Sequence, residues 1–371
     1  MSPNVKITIL TKNKSLQIDK ILLIAVAILS LIGLVAVFNS SIVVAFRTFG
    51  DPYHFVKSQA LFLSIGFIFV LVISKIDYHN WYYLAVPLLF LTLVLLVAVF
   101  IPGIGVKALG AKRWVNFRLF ILQPTEVAKF TLVVYLSAWF SHREKKRFVP
   151  FLVLLGLVLL LVIIQPDMGT AVIIGAIAIL LYFASGAPFK HFLYVVPVIL
   201  VVGLLVAIMV PYRLVRLTTY FNIGSDPLGS SYHIRQVLLA LGSGGWFGVG
   251  LGKSRQKYDY VPEANTDSIF AIIAEEVGFA GSIIIIGLFV LIVYRMFTIS
   301  KTAPDRFGSL LASGIGFWFG IQTIINLGAM VALIPLTGVP LPLVSYGGSN
   351  LVTILSALGV LLNISRQKKS S

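Results

Sequence analysis

The side chains equipped for chemistry gather in residues 258–276, YDYVPEANTDSIFAIIAEE. This stretch holds five of the chain's 13 acidic residues: Asp259, Glu263, Asp267, Glu275 and Glu276. Asp267 stands where a polar pattern stops and an apolar run begins, so the spacing predicts a helix start with Thr266 or Asp267 near its N-cap. Glu275 follows roughly 12 Å further along such a helix at about 1.5 Å per residue. A cap accounts for Asp267 alone but not for two more glutamates inside the apolar run. Carboxylates placed in a bilayer are costly and mark function. Glu275, at i+8, lies nearer the face of Asp267 than Glu276 does.

Other candidates lie in shorter motifs. Glu126 and Lys129 in QPTEVAK share one helix face and can pair, either to fix packing or to line a polar cavity. Lys112 and Arg113 offer an ammonium and a guanidinium fork for a phosphate, although beside Trp114 they also suit an interfacial anchor. Asp167 follows Pro166 between two short apolar runs and is either a solvated loop carboxylate or a site residue. Residues 335–349, PLTGVPLPLVSYGGS, cannot form a regular helix, and broken backbone at membrane depth is tolerated only against protein or a cavity. Ser345, Tyr346 and Ser349 are its polar wall.

Several chemistries are excluded. The chain has no cysteine, and its five histidines are scattered without ligand spacing, which removes thiolate and zinc chemistry. No nucleotide-binding or nucleophile-elbow pattern is present, and GSGGWFGVGLG reads as a permissive turn bringing backbone N–H groups near a substrate. General-base attack on a lipid-borne donor with an anionic leaving group fits what remains. A transporter built on a carboxylate site fits nearly as well.

These residues must be positioned by membrane helices. Hydrophobic residues make up 58% of the 371, charged ones 11%, about half the charge of a soluble domain. Apolar runs at 21–45, 56–74, 81–101, 124–140, 149–164, 170–185, 191–212, 268–294, 309–333 and 348–364 predict an all-α integral membrane protein of about ten spans. The runs at 149–164 and 170–185 are short enough for a re-entrant pair. The whole chain, 1–371, forms one polytopic domain with basic tails at 1–20 and 365–371 and a long loop at 213–266. Within that loop, 230–241 reads as a short amphipathic helix. The net charge of +16 is split among short loops, which suits membrane lipids or an anionic lipid-linked substrate and not nucleic acid. A thin positive-inside bias puts both termini in the cytoplasm and the long loop outside.

The motifs GAKRW (110–114), QPTEVAK (123–129), QPDMGT (165–170), SRQKYDYVPEANTDSIFAIIAEE (254–276) and PLTGVPLPLVSYGGS (335–349), in this order over nearly the whole chain, resemble the SEDS family of bacterial cell-wall synthesis. The resemblance implies a GT-C-like membrane fold and a peptidoglycan glycosyltransferase that polymerises lipid II on the outer face of the cytoplasmic membrane. It implies Asp267 as the catalytic base; the residues themselves offer Lys112, Arg113, Glu126, Lys129, Asp167, Glu263 and Ser345 as candidates toward the substrate, with Glu275 and Glu276 in support. It also implies a class B penicillin-binding protein and other division proteins as partners. A divalent cation (magnesium or manganese) is implied by the family, although no metal-ligand set stands out in the residues. SRQKYDYVPE resembles the division branch and its sporulation relative more than the elongation branch. Ser268, Ala332 and Leu343 depart from the usual family residues, Phe, Gly and Phe.

Overall fold

Apolar runs in a bilayer become helices because only then is every backbone group satisfied within its own segment. The computed structural model describes residues 18–108, 111–118, 120–142, 147–209, 211–222, 231–257 and 261–367. Most of the basic N-terminal tail, residues 143–146, Tyr258 to Tyr260 and 368–371 lie outside these.

The elements in chain order are α1 (Lys20–Phe49), α2 (His54–Ile73), α3 (Asn80–Ala98), β1 (Gly105–Ala108), β2 (Ala111–Asn116), β3 (Ile121–Leu122), α4 (Pro124–Ser141), α5 (Phe148–Ile164) and α6 (Met168–Ala184). They continue with α7 (Phe189–Met209), α8 (Pro211–Phe221), α9 (Tyr232–Ser243), α10 (Ile269–Thr302), α11 (Arg306–Met330) and α12 (Gly348–Arg366). Every expected span falls on a helix. Six of them, α1, α2, α3, α10, α11 and α12, are long and apolar enough to cross a membrane, and α5, α6 and part of α7 are shorter apolar helices. This is a multi-pass helical membrane protein.

Three features depart from the sequence reading. The segment before α4 folds into a small antiparallel sheet, β1-β2-β3, because alternating side chains in AKRWVN leave Ala111 and Val115 inward and Lys112 outward. The long loop opens with a second helix, α8, alongside the expected amphipathic one. Finally, α10 runs on through Arg295 and Lys301 to Thr302, past the end of the apolar run at 294. Arg295 can stay helical because its guanidinium pairs with Asp19, Nη2 to Oδ2 at 2.6 Å.

Among the described residues three helices start on an aspartate cap: Asp19 accepts from Leu22 N, Asp167 from Thr170 N and Asp305 from Gly308 N. The core lies between α2, α4, α6, α10, α11 and α12, around Trp318, Phe319, Leu355 and Val133. The loops sort to two ends. At one end Asp19 joins α1 to α10, and Tyr78 Oη donates to Asp305 Oδ1 at 2.7 Å. At the other end the sheet, the turn before α6, the 335–347 turn and the start of α10 converge. There Ser349 Oγ accepts from Gln123 N, Arg113 donates to Pro166 O, and Tyr346 N donates to Asn265 O at 2.9 Å.

α10 is interrupted at Gly278 (φ 69°, ψ −169°). The break frees two carbonyls and two N–H groups, which the glycine-rich segment after α9 takes up. Val249 N donates to Glu275 O and Gly250 N to Glu276 O, while Phe279 N and Ala280 N donate to Gly245 O and Trp246 O. A Cβ on Gly248 would lie 2.1 Å from Glu276 O, so no larger residue fits there. These N–H groups are therefore spent on α10 and not presented to a substrate, the use the sequence suggested.

Candidate active site

Ser268, not Asp267, is the N-cap of α10, and it makes no side-chain cap bond. Its hydroxyl instead lies 2.7 Å from His233 Nε2 on α9. The capping reading of Asp267 is thereby set aside, and its carboxylate is left to the interior. Asp267 is 9% exposed and forms one wall of a cavity of about 230 Å³ with Arg216, Thr219, Tyr220, His233, Pro335 and Leu336. Thr266 Oγ1 donates to Asp267 Oδ1 at 3.3 Å. Gly338 (φ 70°) sits opposite: a Cβ there would come within 3.8 Å of Asp267 Oδ2.

Burial pushes the Asp267 carboxyl up to about 7, and the nearby Glu263 carboxylate pushes in the same direction against Arg216 and the Thr266 hydroxyl. Glu263 is exposed in a left-handed conformation (φ 52°) and accepts from Thr266 Oγ1 at 2.8 Å. The His233 ring is driven down to about 4 by burial first and by Arg216 second, so it is neutral at pH 7. A buried carboxylate raised toward neutrality in a cavity wall is suited to take a proton from a hydroxyl.

α8 lies across the cavity and is tied to the turn after α11. Arg216 Nη1 donates to Leu336 O at 3.0 Å and Tyr220 Oη to Leu333 O at 2.8 Å. Arg216, Tyr220 and His233 were not singled out from the sequence. Their signal was present in α8, whose charged and apolar residues are strongly segregated, and in the amphipathic pattern of α9.

The remaining candidates do not line this cavity. Lys112 is exposed on β2, and the neighbouring Arg113 donates to Pro166 O. Asp167 is buried as the α6 cap, with Oδ2 lacking a hydrogen-bond partner. Gly169, next in α6, packs on Thr337 O, so this corner abuts the far side of the 335–347 turn.

Glu126 and Lys129 pair at 2.8 Å and are each 1% exposed. Asn350 Nδ2 donates to the other Glu126 oxygen at 2.7 Å, and Lys129 Nζ donates to Gln322 Oε1 at 2.8 Å. They present no face to the cavity, which corrects the expectation that they contact substrate: the hydrogen bonds of this buried pair are spent on protein. Ser345 is likewise turned inward, its Oγ accepting from Leu341 N at 2.8 Å to close the turn. Glu275 accepts from Ser254 Oγ and Arg255 N, and Glu276 from Asn39 Nδ2 at 2.9 Å. Neither glutamate faces the Asp267 cavity, and both brace the region of the α10 break. Among the described residues no group of three His, Cys, Asp or Glu side chains is placed to hold a metal ion.

Residues 19–370 match the FtsW/RodA/SpoVE family of cell cycle proteins. Stage V sporulation protein E of Bacillus subtilis strain 168 is 41% identical, over 95% of this chain and 98% of its own. A probable peptidoglycan glycosyltransferase FtsW of Trichlorobacter lovleyi is also 41% identical, over 94% and 93%. Among solved structures, one comes from work on the structural coordination of polymerization and crosslinking by a peptidoglycan synthase complex. Its matching chain has a TM-score of 0.77 at 27% identity, covering 95% of this chain and 98% of that one. The rod shape determining protein RodA of Thermus thermophilus has a TM-score of 0.70 at 27% identity, with 95% and 98% covered. The chain belongs to the FtsW/RodA/SpoVE family, the SEDS family that its motifs resemble.

Proposed function

We propose that this chain is a peptidoglycan glycosyltransferase that polymerises lipid II, with Asp267 as general base. The observation that carries the reading is the Asp267 carboxylate, freed from helix capping and held near neutral pKa in the wall of a cavity. Asp267 takes the proton of an acceptor sugar hydroxyl as that oxygen bonds to the donor's anomeric carbon. The bond from that carbon to the diphosphate oxygen breaks, and undecaprenyl diphosphate leaves. Arg216 supplies positive charge in the same wall, and Lys112 and Arg113 supply more at the rim for the diphosphate. Asp167 and Glu263 hold polar groups of the sugar–peptide. Relatives named probable peptidoglycan glycosyltransferase FtsW support the activity and a role in septal wall synthesis.

The cavity end faces out of the bacterial cytoplasmic membrane, with both termini inside, because the loops at the opposite end carry the larger share of Lys and Arg. The partner is a class B penicillin-binding protein within the division machinery, an assignment supported by the likeness to a chain of a peptidoglycan synthase complex.

The test gives labelled lipid II to the purified chain with its transpeptidase, and in parallel measures lipid II movement across liposomes. Glycan strands are the expected product. Transbilayer movement with no new glycosidic bond would make the protein a transporter instead.

A further inference from the structure

Asn326 is buried on α11, 1% exposed. Its single amide nitrogen donates to two carbonyl oxygens at once, Asp267 O and Val339 O, each at 2.8 Å. Those carbonyls belong to separate irregular segments, the approach to α10 and the Pro/Gly-rich turn between α11 and α12. One helical turn earlier, Gln322 Nε2 donates to the next carbonyl of that turn, Pro340 O, at 2.9 Å. Gln322 Oε1 in turn accepts from Lys129 Nζ and Trp318 Nε1, each at 2.8 Å. Residues at i and i+4 share one helix face, so a single face of α11 fastens both segments. Neither amide lines the cavity.

We propose that Asn326 is a positioning residue for glycosyl transfer: by holding Asp267 O and Val339 O on one nitrogen, it fixes the Asp267 carboxylate against the 335–347 turn. This rests on the reading of Asp267 as the base. The turn brings Pro335 and Leu336 into the cavity wall and Gly338 opposite the carboxylate, so the spacing of the two segments sets the room beside Asp267. A buried carbonyl that loses its donor must find another. Here either segment would move, and a shift of about 1 Å at a reacting group costs about 10²-fold in rate. Among the described residues, the charged and titratable groups around Asp267 are Glu263 on its own loop, Arg216 and Tyr220 on α8 and His233 on α9. None of them is on α11, so Asn326 acts on the base through the backbone alone.

The experiment measures lipid II polymerisation by the full chain with its transpeptidase, as kcat, KM and a pH–rate profile. It compares wild type with Asn326→Leu, which keeps volume but no donor, Asn326→Gln, which keeps the amide, and Asp267→Asn. Asn326→Leu is expected to lose about 10²-fold in kcat, with KM for lipid II within about threefold and the acid limb of the profile displaced. Asn326→Gln is expected to recover part of the rate. If the Leu variant does not fold, Asn326→Ser, with one hydroxyl donor for two carbonyls, replaces it with an expected loss of about tenfold. Wild-type kcat and an unmoved acid limb in a folded donor-less or Ser variant, while Asp267→Asn is inactive, overturns the positioning role alone. Wild-type polymerisation by Asp267→Asn removes the base assignment and the inference with it.

Discussion

At the scale of single residues, the chemistry depends on a carboxylate that neither caps a helix nor meets a cation head-on. Asp19, Asp167 and Asp305 show the alternative, each accepting from the N–H three residues on. Asp267 escapes it because Ser268 takes the cap position, its hydroxyl hydrogen-bonded with His233 Nε2. Burial and Glu263 then raise the Asp267 carboxyl to about 7. A base must be ionised to act, so polymerisation should climb with pH toward about 7 and level off above it. Removing the neighbouring charge lowers the Asp267 pKa and leaves more base at acid pH. Glu263→Gln is therefore expected to raise the ratio of the rate at pH 6 to that at pH 8 by about two- to fivefold. Taking a ratio cancels any loss of substrate contact common to both pH values. A ratio that falls or stays at the wild-type value would show that Glu263 does not act on the base.

At the scale of elements, the site is built from places where helices fail to be regular. α10 breaks at Gly278 and is patched by the glycine-rich segment, while the 335–347 turn hangs on amides from α11. The end of α11 carries a visible strain. Ala332 has a φ of 55°, a left-handed conformation that costs a residue with a Cβ about 1–2 kcal/mol. The same bend carries Leu333 O, the acceptor for Tyr220 on α8. Ala332→Gly is expected to stabilise the protein by about 0.5–1 kcal/mol once glycine's larger unfolded-state entropy is subtracted. Thermal unfolding in detergent would register this as a small rise in Tm. A fall would show that the Cβ makes packing contacts worth more than the strain.

At the scale of the whole molecule, the sequence carried the fold well where the physics is one-dimensional. A backbone in lipid must satisfy itself, so each apolar run marked a helix, although α10 continues well past residue 294, and the Pro/Gly content of 335–349 marked a broken segment. It carried the site less well. The spacing of Glu126 and Lys129 showed that they pair, but not that Asn350 and Gln322 enclose them. Arg216, Tyr220 and His233 come from a long loop whose packing over Asp267 depends on contacts more than 30 residues away. Gln322 and Asn326 were passed over because buried amides on an apolar helix have no periodic signature. Their partners are backbone carbonyls that only the folded turn supplies.

All three scales meet at one carboxylate, and the most direct measurement is lipid II polymerisation by Asp267→Asn beside wild type, with the transpeptidase present and folding checked by thermal unfolding. Assignment of Asp267 as general base predicts long glycans from wild type and a loss of about 10²–10⁴-fold in the variant, with its fold intact. Wild-type glycan synthesis by a folded Asp267→Asn protein would contradict it.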